Sequence, residues 1–184
     1  MVRFPGAFRA QAALVIRFVA PRTRLRRTLL RRAIASGWAA ANRGDFELML
    51  VRYAPDVEIA WDPAYEAFGM TGPFHGHDGV LEMIRGIADA WARYELRPMA
   101  VVDLGDRAVS LGTLRLPGNV SGLEFESEIS QLQVPCGGLI AHQHDFLSWD
   151  DGLRAAGLDP EAIALPPRPG SRRVTSGVGP SNLA

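Results

Sequence analysis

Lysine is absent from this 184-residue chain, cysteine occurs once, and no apolar run reaches the roughly 18 residues that a membrane-spanning helix needs. The single cysteine, Cys136, excludes an internal disulfide and favours a reducing compartment. These absences lead us to expect a cytoplasmic protein without stable membrane insertion.

Several motifs that carry specific chemistry are also missing. The chain has no GxxxxGK[ST] phosphate-binding loop, no GxSxG nucleophile elbow, no CxxC pair and no HExxH helix. Their absence argues against nucleotide use, serine hydrolysis and zinc chemistry.

Arginine supplies all 20 basic residues, and its distribution is uneven. Ten arginines and no acid lie in residues 1–44, whereas residues 45–165 hold seven arginines against all 20 acids, a net charge of −13. An acidic body is a poor platform for nucleic acid, so we predict no nucleic-acid partner. The net charge also favours neutral or cationic small molecules over anionic ones. Contact of residues 1–32 with a membrane surface or an anionic polymer is a separate hypothesis.

The chain divides into three segments by composition. Residues 1–23 are basic, lack a hydrophobic period and are predicted to form a disordered arm. Residues 24–158 carry the periodic patterns of a single folded domain. Residues 159–184 form a tail rich in proline, glycine and serine, which we predict to be mostly disordered.

Hydrophobic periodicity predicts the elements of the central segment. Leu30, Ile34, Trp38 and Ala41 recur at helical spacing and predict a helix over Arg24–Asn42. Further helices are predicted at Phe46–Tyr53, from Gly76 onward and at Asp150–Ala156. Strands are predicted at Val57–Trp61, Arg97–Leu104, Ala108–Leu116, Leu123–Val134 and Leu139–Ser148. This segregation indicates an α+β fold with a mostly antiparallel sheet.

The order of these elements and five short motifs resemble the SnoaL-like branch of the NTF2-like superfamily. The motifs are Ala39–Phe46, Tyr53–Glu58, Phe74–Val80, Gly137–Ile140 and Leu153–Leu158. The resemblance covers roughly residues 25–158. It implies a cone-shaped, strongly curved, mostly antiparallel sheet wrapped around three N-terminal helices, with a pocket at the open end.

The resemblance also bounds the function. It implies homodimers formed through the sheet and enzymes that need no cofactor or metal, including polyketide cyclases, ketosteroid isomerases, small dehydratases and epoxide hydrolases. The same superfamily contains non-catalytic binding and dimerisation modules, so the fold does not decide the function.

The last predicted strand offers two alternative faces to the pocket, because successive side chains of a strand point to opposite sides. One face carries His142 and His144, and the other carries Gln143 and Asp145. The register that the resemblance implies, counted from the Gly138 turn, favours Gln143 and Asp145 inside. A slip or bulge of one residue would exchange them for the histidines. A carboxylate inside an apolar cone has a raised pKa that suits acid–base catalysis, so Asp145 is the first catalytic candidate and the two histidines are alternatives.

The preceding strand supplies a second candidate carboxylate. By the same reasoning its inward residues are Glu126, Glu128, Ser130 and Leu132. Glu128 is therefore the second candidate acid or base, although Phe125 and Ile129 on the opposite face argue against this register. The competing interpretation for Asp145 and Glu128 is a solvated residue paired with an arginine.

Aromatic residues cluster near the predicted pocket mouth. Trp61, Tyr65 and Phe68 end the first strand and enter the next loop, which lies near the mouth in the resembled fold, where aromatics hold an apolar ligand. A core or surface position is the competing interpretation. The predicted substrate-binding residues are Trp61, Tyr65, Phe68, Phe74, Met83, Ile87 and Gln143.

Two His-x-His pairs, at His75 and His77 and at His142 and His144, invite a metal interpretation. Histidines two apart on a strand share a face about 7 Å apart, a spacing that metal sites use. The pattern is common by chance and has no counterpart in the resembled family, so no metal is predicted. His77 is instead expected to make a polar contact at a helix N-terminus.

Two functional hypotheses follow from these observations. The first is a protein that binds a small hydrophobic, oxygenated molecule and acts on it by cofactor-independent acid–base chemistry, as a cyclase, isomerase, dehydratase or hydratase. The second is a non-catalytic ligand-binding or dimerisation module. The second predicts that no inward carboxylate or histidine has both a polar partner and a perturbed pKa.

Overall fold

The computed structural model describes residues 23–90, 94–117 and 124–168, so most of the basic arm and the end of the tail lie outside the described residues. The helices are α1 (Arg24–Asn42), α2 (Phe46–Leu50), α3 (Gly76–Ala90) and α4 (Trp149–Ala155), with short 3-10 helices at Pro63–Phe68 and Pro160–Ala162. The strands are β1 (Tyr53–Trp61), β2 (Phe74–His75), β3 (Glu95–Asp103), β4 (Ala108–Pro117), β5 (Glu124–Cys136) and β6 (Leu139–Phe146). Within the described ranges, no helix combines the length and apolar character needed to cross a membrane.

Six strands form one sheet in the order β2, β1, β6, β5, β4, β3. Strand β1 runs parallel to β6, and the other neighbouring pairs are antiparallel. The curved sheet packs its inner face against α1 and α3. The predicted α+β fold, with a mostly antiparallel sheet wrapped around the N-terminal helices, is confirmed.

Helix α1 begins and ends, and helix α2 begins, at the residues that the sequence indicates. The Thr23 Oγ1 atom accepts a hydrogen bond from the Arg26 amide at 3.2 Å and caps α1. After α1 ends, Gly44 adopts a φ of 66°, a conformation that favours glycine. The Asp45 carboxylate then accepts from the Leu48 amide at 3.1 Å and caps α2.

Helix α2 is shorter than predicted because the chain becomes extended at Tyr53 rather than at Val57. The Ile140 amide of β6 donates to the Arg52 carbonyl at 2.8 Å, and Tyr53 pairs with Ile140. The register then shifts between Tyr53 and Glu58. Pairing with a distant strand, rather than local periodicity, sets the start of β1.

The β5–β6 hairpin decides which side chains face the inside of the cone. Gln131 lies opposite Asp145 and Gln133 lies opposite Gln143, and the register shifts just before Pro135. Directly opposite residues share a face of the sheet, so both glutamines point inward with Asp145. The predicted inward set of β5 is therefore wrong by one residue, because the bulge before Pro135 offsets the strand from the turn. That set was Glu126, Glu128, Ser130 and Leu132.

Helix α4 covers the outer face of β4 and β5. Trp149 is fully buried there, and its Nε1 donates to the Gly112 carbonyl at 2.8 Å. It packs in a cluster with Leu153 of α4 and Leu111 of β4. This outer layer is a well-packed second core.

Three of the residues predicted to face inward belong to this outer layer instead. Ser130 Oγ donates to the Ser148 carbonyl at 2.7 Å, and Leu132 packs against the α4 cluster. The Glu128 carboxylate accepts from the Trp149 amide at 3.0 Å. Glu128 therefore stabilises the N-terminus of α4.

The start of the tail packs on the folded body. Within residues 159–168, Ile163 contacts the α4 cluster. Arg168 forms ion pairs with Glu128, at 3.3 Å, and with Asp150. The ordered body thus continues ten residues beyond the predicted boundary, and the rest of the tail lies outside the described residues.

Candidate functional site

A cavity lies between α1, α3 and the inner face of the sheet. Its volume is about 70 Å³ when only the positions open to the centre of a water molecule are counted. It is about 760 Å³ when all space between the walls and in the open mouth is included. One water needs about 10–15 Å³ by the first measure, so the cavity has room for a small organic molecule. Its walls are mostly apolar and include Met49, Met83, Ile84, Ile87, Leu114 and Ile129.

Asp145 of β6 places a carboxylate in this apolar wall, where the residue is 5% exposed. The Gln143 Nε2 atom donates to both carboxylate oxygens, at 3.0 and 3.2 Å, and the side chains of Gln131 and Trp61 also donate to it. Burial raises the pKa of Asp145 from 3.8 to about 7, although these three donors oppose the rise. Near neutral pH both the protonated and the ionised carboxyl are therefore populated.

The Gln131 side-chain amide is oriented by the Trp38 indole N–H, which can donate a hydrogen bond but cannot accept one. The Trp38 Nε1 atom donates to Gln131 Oε1 at 2.8 Å, and both groups are buried. An indole N–H can only donate, so the Gln131 oxygen must face Trp38 and its amide nitrogen is left to face Asp145. Trp38 of α1 thus determines which end of the Gln131 amide of β5 faces Asp145.

The Gln143 amide is oriented in the same way from the other side. Its Oε1 accepts from the Tyr53 hydroxyl at 3.1 Å and from Gln133 Nε2 at 2.9 Å. With the oxygen occupied, its amide nitrogen faces Asp145. The buried polar network therefore directs its donors at one carboxylate.

Trp61 and Tyr65 form an aromatic wall beside Asp145. Their rings stack with centroids 5.2 Å apart and an interplanar angle of 19°, and Phe74 meets Trp61 edge-on at 4.9 Å. The Asp62 amide donates to the Asp145 carbonyl at 2.9 Å, and the Tyr65 amide donates to the Asp62 carbonyl at 2.9 Å. The strand that carries Asp145 thus also positions the 3-10 helix that carries Tyr65.

Tyr65 lines the cavity, and its hydroxyl is buried with no hydrogen-bond partner among the described residues. Burial, with the nearby charge of Asp145, raises the pKa of Tyr65 well above its usual value, so the group stays a neutral O–H donor. Leaving a buried hydroxyl unpaired costs about 1–3 kcal/mol. An unpaired donor beside a carboxyl of pKa about 7 can hold a ligand oxygen while a proton moves.

Comparison with known proteins assigns the chain to a family. Residues 34–143 match the SnoaL-like domain. The chain belongs to the SnoaL-like family. No curated protein sequence matches it at a significant level.

Solved structures share the fold of this SnoaL-like chain. An NTF2-like protein of unknown function from Burkholderia pseudomallei is 26% identical, with a TM-score of 0.58 and coverage of 67% of this chain and 93% of that one. TerC, co-crystallised with polyporic acid, is 23% identical, with a TM-score of 0.58 and coverage of 64% and 89%. A protein of ketosteroid isomerase-like fold from Catenulispora acidiphila, in complex with trimethylamine, is 12% identical, with a TM-score of 0.55 and coverage of 72% and 97%.

The SnoaL-like cavity brings together most of the predicted site residues. Its walls contain Asp145, Gln143, Trp61, Tyr65, Met83 and Ile87. Phe74 packs behind Trp61 in the core, and the Phe68 side chain lies outside the described part of the chain. The catalytic and substrate-binding roles of these residues stay predictions.

The other catalytic candidates lie on the opposite side of the sheet. His142 is exposed, and His144 stacks on Phe146 at 4.2 Å, where burial lowers its pKa. Glu128 faces α4 and Arg168. Strand alternation separates all three from the cavity, so their predicted contact with a ligand there is wrong.

The two His-x-His pairs make no visible metal centre. In residues 23–90, 94–117 and 124–168, no group of three or more His, Cys, Asp or Glu side chains could hold a metal ion. His77 Nε2 lies 3.2 Å from the Tyr53 carbonyl oxygen, in the first turn of α3. This is the polar contact that the sequence predicts for His77.

Five polar residues of the cavity were missed by the sequence analysis: Arg52, Tyr53, Tyr94, Gln131 and Gln133. The two glutamines could have been found by pairing the hairpin strands from the inward Gln143 and Asp145. Arg52 and Tyr53 carry no local signal, because pairing with β6 brings them to the site.

Proposed function

We propose that this protein binds a small, largely apolar, oxygenated molecule in its cavity and transforms it by acid–base chemistry with its own side chains. The observation that carries the proposal is Asp145, a buried carboxyl of pKa about 7 in an apolar wall beside the unpaired Tyr65 hydroxyl. Cyclisation, isomerisation, dehydration and hydration each need a proton moved to or from carbon or oxygen. A group that titrates near neutrality does this efficiently.

The geometry supports a separate role for each residue. Ionised Asp145 removes a proton from the ligand, and the protonated carboxyl returns it at another atom. The Tyr65 O–H donates to the ligand oxygen on which negative charge develops. Trp61 contacts the apolar part of the ligand, while Gln131 and Gln143 hold the carboxylate in place.

The substitution Asp145→Asn tests this proposal, because Asn keeps the shape of the side chain but cannot carry the proton. Asp89→Asn, at an exposed carboxylate of α3, is the matched control. Wild type and both variants are screened with ketones, epoxides and hydroxy compounds. We expect turnover to fall by about 10²- to 10⁴-fold in Asp145→Asn and to be unchanged in Asp89→Asn. Equal turnover in Asp145→Asn and wild type would exclude Asp145 as the proton carrier.

A non-catalytic ligand-binding module is the second candidate function. The three donors that hold the Asp145 carboxylate also suit simple binding of a ligand, although this alternative predicts no inward carboxylate with both a polar partner and a perturbed pKa, and Asp145 has both. This alternative predicts that compounds stabilise the protein against unfolding without being converted. Detecting a product by mass spectrometry after prolonged incubation would decide against it.

We also propose a homodimer formed through the outer face of the sheet, as SnoaL-like proteins are expected to form. On β1 this face carries Glu58, which is exposed, and Ala60, which is partly exposed. Light scattering on the full chain should give twice the 20.0 kDa chain mass. A single-chain mass at micromolar concentration would remove the proposal.

A further inference from the structure

Arg52 lines the same cavity as Asp145 and has a fixed starting point. Its amide donates to the Met49 carbonyl at 3.1 Å, and its carbonyl accepts from the Ile140 amide at 2.8 Å. The residue therefore links α2 to β1, and its backbone is held on both sides. The guanidinium of Arg52 therefore extends from a backbone that is fixed by hydrogen bonds.

The Arg52 guanidinium rests against bare backbone in α1. A Cβ atom built at Gly37 would lie 1.0 Å from Arg52 Nη1 and 2.2 Å from its Cζ. Gly37 is buried, so the guanidinium occupies the volume that any larger side chain at position 37 would fill. The close approach therefore depends on glycine at this position.

The charge of Arg52 has no acidic partner among the described residues. Burial lowers the pKa of Arg52, and its interaction with the Tyr53 hydroxyl partly opposes this lowering. The other enclosed arginine, Arg26, differs because its Nε lies 3.0 Å from the Asp103 carboxylate. Arg52 is half-buried, and an enclosed charge without an acidic partner at a cavity wall is open to a ligand.

Asp145 does not serve as the missing partner. Its carboxyl is held by Gln131, Gln143 and Trp61, and no ion pair joins it to Arg52 in the described structure. The cavity thus presents a cation and a carboxyl that are kept apart.

We infer that the ligand of this cavity carries an anionic oxygen group, a carboxylate or an ionised enol or phenol, and that Arg52 binds it. The inference rests on the proposed binding of a small molecule in this cavity but does not require turnover. A guanidinium presents a planar fork of donors that matches a carboxylate and binds a phenolate or enolate oxygen as well. The apolar body of the ligand then lies along the methionine and isoleucine walls.

This arrangement orients the ligand. An anion at Arg52 leaves the rest of the molecule to extend toward Tyr65 and Asp145, which line the same cavity. The local cation also outweighs the acidic net charge of the body, which by itself would disfavour anions, because interactions at contact distance exceed those with screened surface charges.

The test compares shape-matched probes by their effect on thermal unfolding of the full chain. Benzoate is compared with benzamide, and 4-nitrophenolate is compared with nitrobenzene, so that the carboxylate and phenolate classes are distinguished. We expect an anion of at least one pair to bind wild type about 10- to 100-fold more tightly than its neutral partner. Arg52→Gln should remove that preference, and Arg52→Lys should keep part of it. Arg85→Gln, at an exposed arginine of α3, is the matched control and should change nothing.

Two further variants separate this inference from its alternatives. Gly37→Ala keeps Arg52 but displaces its guanidinium, so it should weaken anion binding and leave binding of the neutral probe unchanged. Asp145→Asn should keep the anion preference even where turnover is lost, so the proposed reaction and this inference can each fail alone. Equal binding of the anionic and neutral probes by wild type, in both pairs, overturns the inference. An anion preference that persists in Arg52→Gln overturns it as well.

Discussion

The two faces of the β5–β6 hairpin differ in what covers them, because helix α4 packs on the outer face and a cavity lies against the inner face. On the outer face, Ser130 bonds to the Ser148 carbonyl and the Trp149 indole bonds to the Gly112 carbonyl, while the buried His144 Nε2 has no hydrogen-bond partner among the described residues. On the inner face, the network ends at a cavity. There the Tyr65 hydroxyl has no partner among the described residues.

This difference shows how one pair of strands separates stability from chemistry. Alternation sends neighbouring residues such as Ser130 and Gln131 to opposite faces. The outer residues complete a core, and the inner residues leave donors and a titrating carboxyl for a ligand.

The largest effect is expected on the outer face, for Trp149→Ala. The substitution removes a fully buried side chain and its hydrogen bond to Gly112, so the free energy of unfolding should fall by about 3–5 kcal/mol. Urea denaturation of wild type and variant measures it. Trp61→Ala, at a partly buried residue of the cavity wall, should cost less. A smaller loss for Trp149→Ala than for Trp61→Ala would reverse the comparison.

The second expected effect is a pH dependence of the free energy of unfolding, caused by Asp145 on the inner face. Asp145 has a pKa of about 7 in the folded protein against 3.8 as its ordinary value, so between these pH values the folded chain keeps a proton that the unfolded chain has lost. The contribution of Asp145 to stability is thus present below about pH 4 and lost as pH rises through about 7, by at most about 4 kcal/mol.

Denaturation midpoints measured at several pH values test this contribution. The difference in unfolding free energy between Asp145→Asn and wild type should shift in favour of the variant as pH rises from about 4 to about 7. The exposed control Asp89→Asn should follow wild type throughout. A difference between Asp145→Asn and wild type that stays constant with pH would show that burial does not perturb Asp145.

A smaller effect is expected for Tyr53→Phe. The change removes the hydroxyl that donates to Gln143 Oε1, but Gln133 continues to donate to the same oxygen. The free energy of unfolding should fall by about 0.5–1.5 kcal/mol, the usual net value of one hydrogen bond. Thermal and urea unfolding measure it. A loss above that range would mean that the whole network depends on Tyr53.

The smallest stability effect is expected for Tyr65→Phe, which differs from Tyr53→Phe by removing a hydroxyl without a described partner. Stability should stay the same or rise slightly, because no hydrogen bond is lost and a buried unpaired group disappears. Affinity for an oxygenated ligand should fall instead. A clear loss of stability would mean that the hydroxyl is already satisfied in the free protein.

Local pattern predicted much of this fold. The period of Leu30, Ile34 and Trp38 predicted α1 with its observed ends, and Asp45 was recognised as the cap of α2. The resemblance placed Asp145 and Gln143 on the inward face of the last strand. The same counting failed on β5, because the bulge before Pro135 cannot be seen in a sequence that alternates equally well in two registers.

The partners at the site could not be predicted in this way. Trp38 meets Gln131 across 93 positions of sequence, and Tyr53 meets Gln143 across 90. Such contacts depend on where whole elements dock, and no local property of either residue reports it. The position of Glu128 under α4 was missed for the same reason.

The sequence by itself determined the type and order of the elements, the family and the acidic charge of the body, since these follow from short-range periodicity and composition. Only the tertiary structure decided that Asp145 titrates near neutrality and that Arg52 stands without an acidic partner among the described residues. Desolvation and pairing are properties of the surroundings of a charge, and distant parts of the chain supply those surroundings when they pack together.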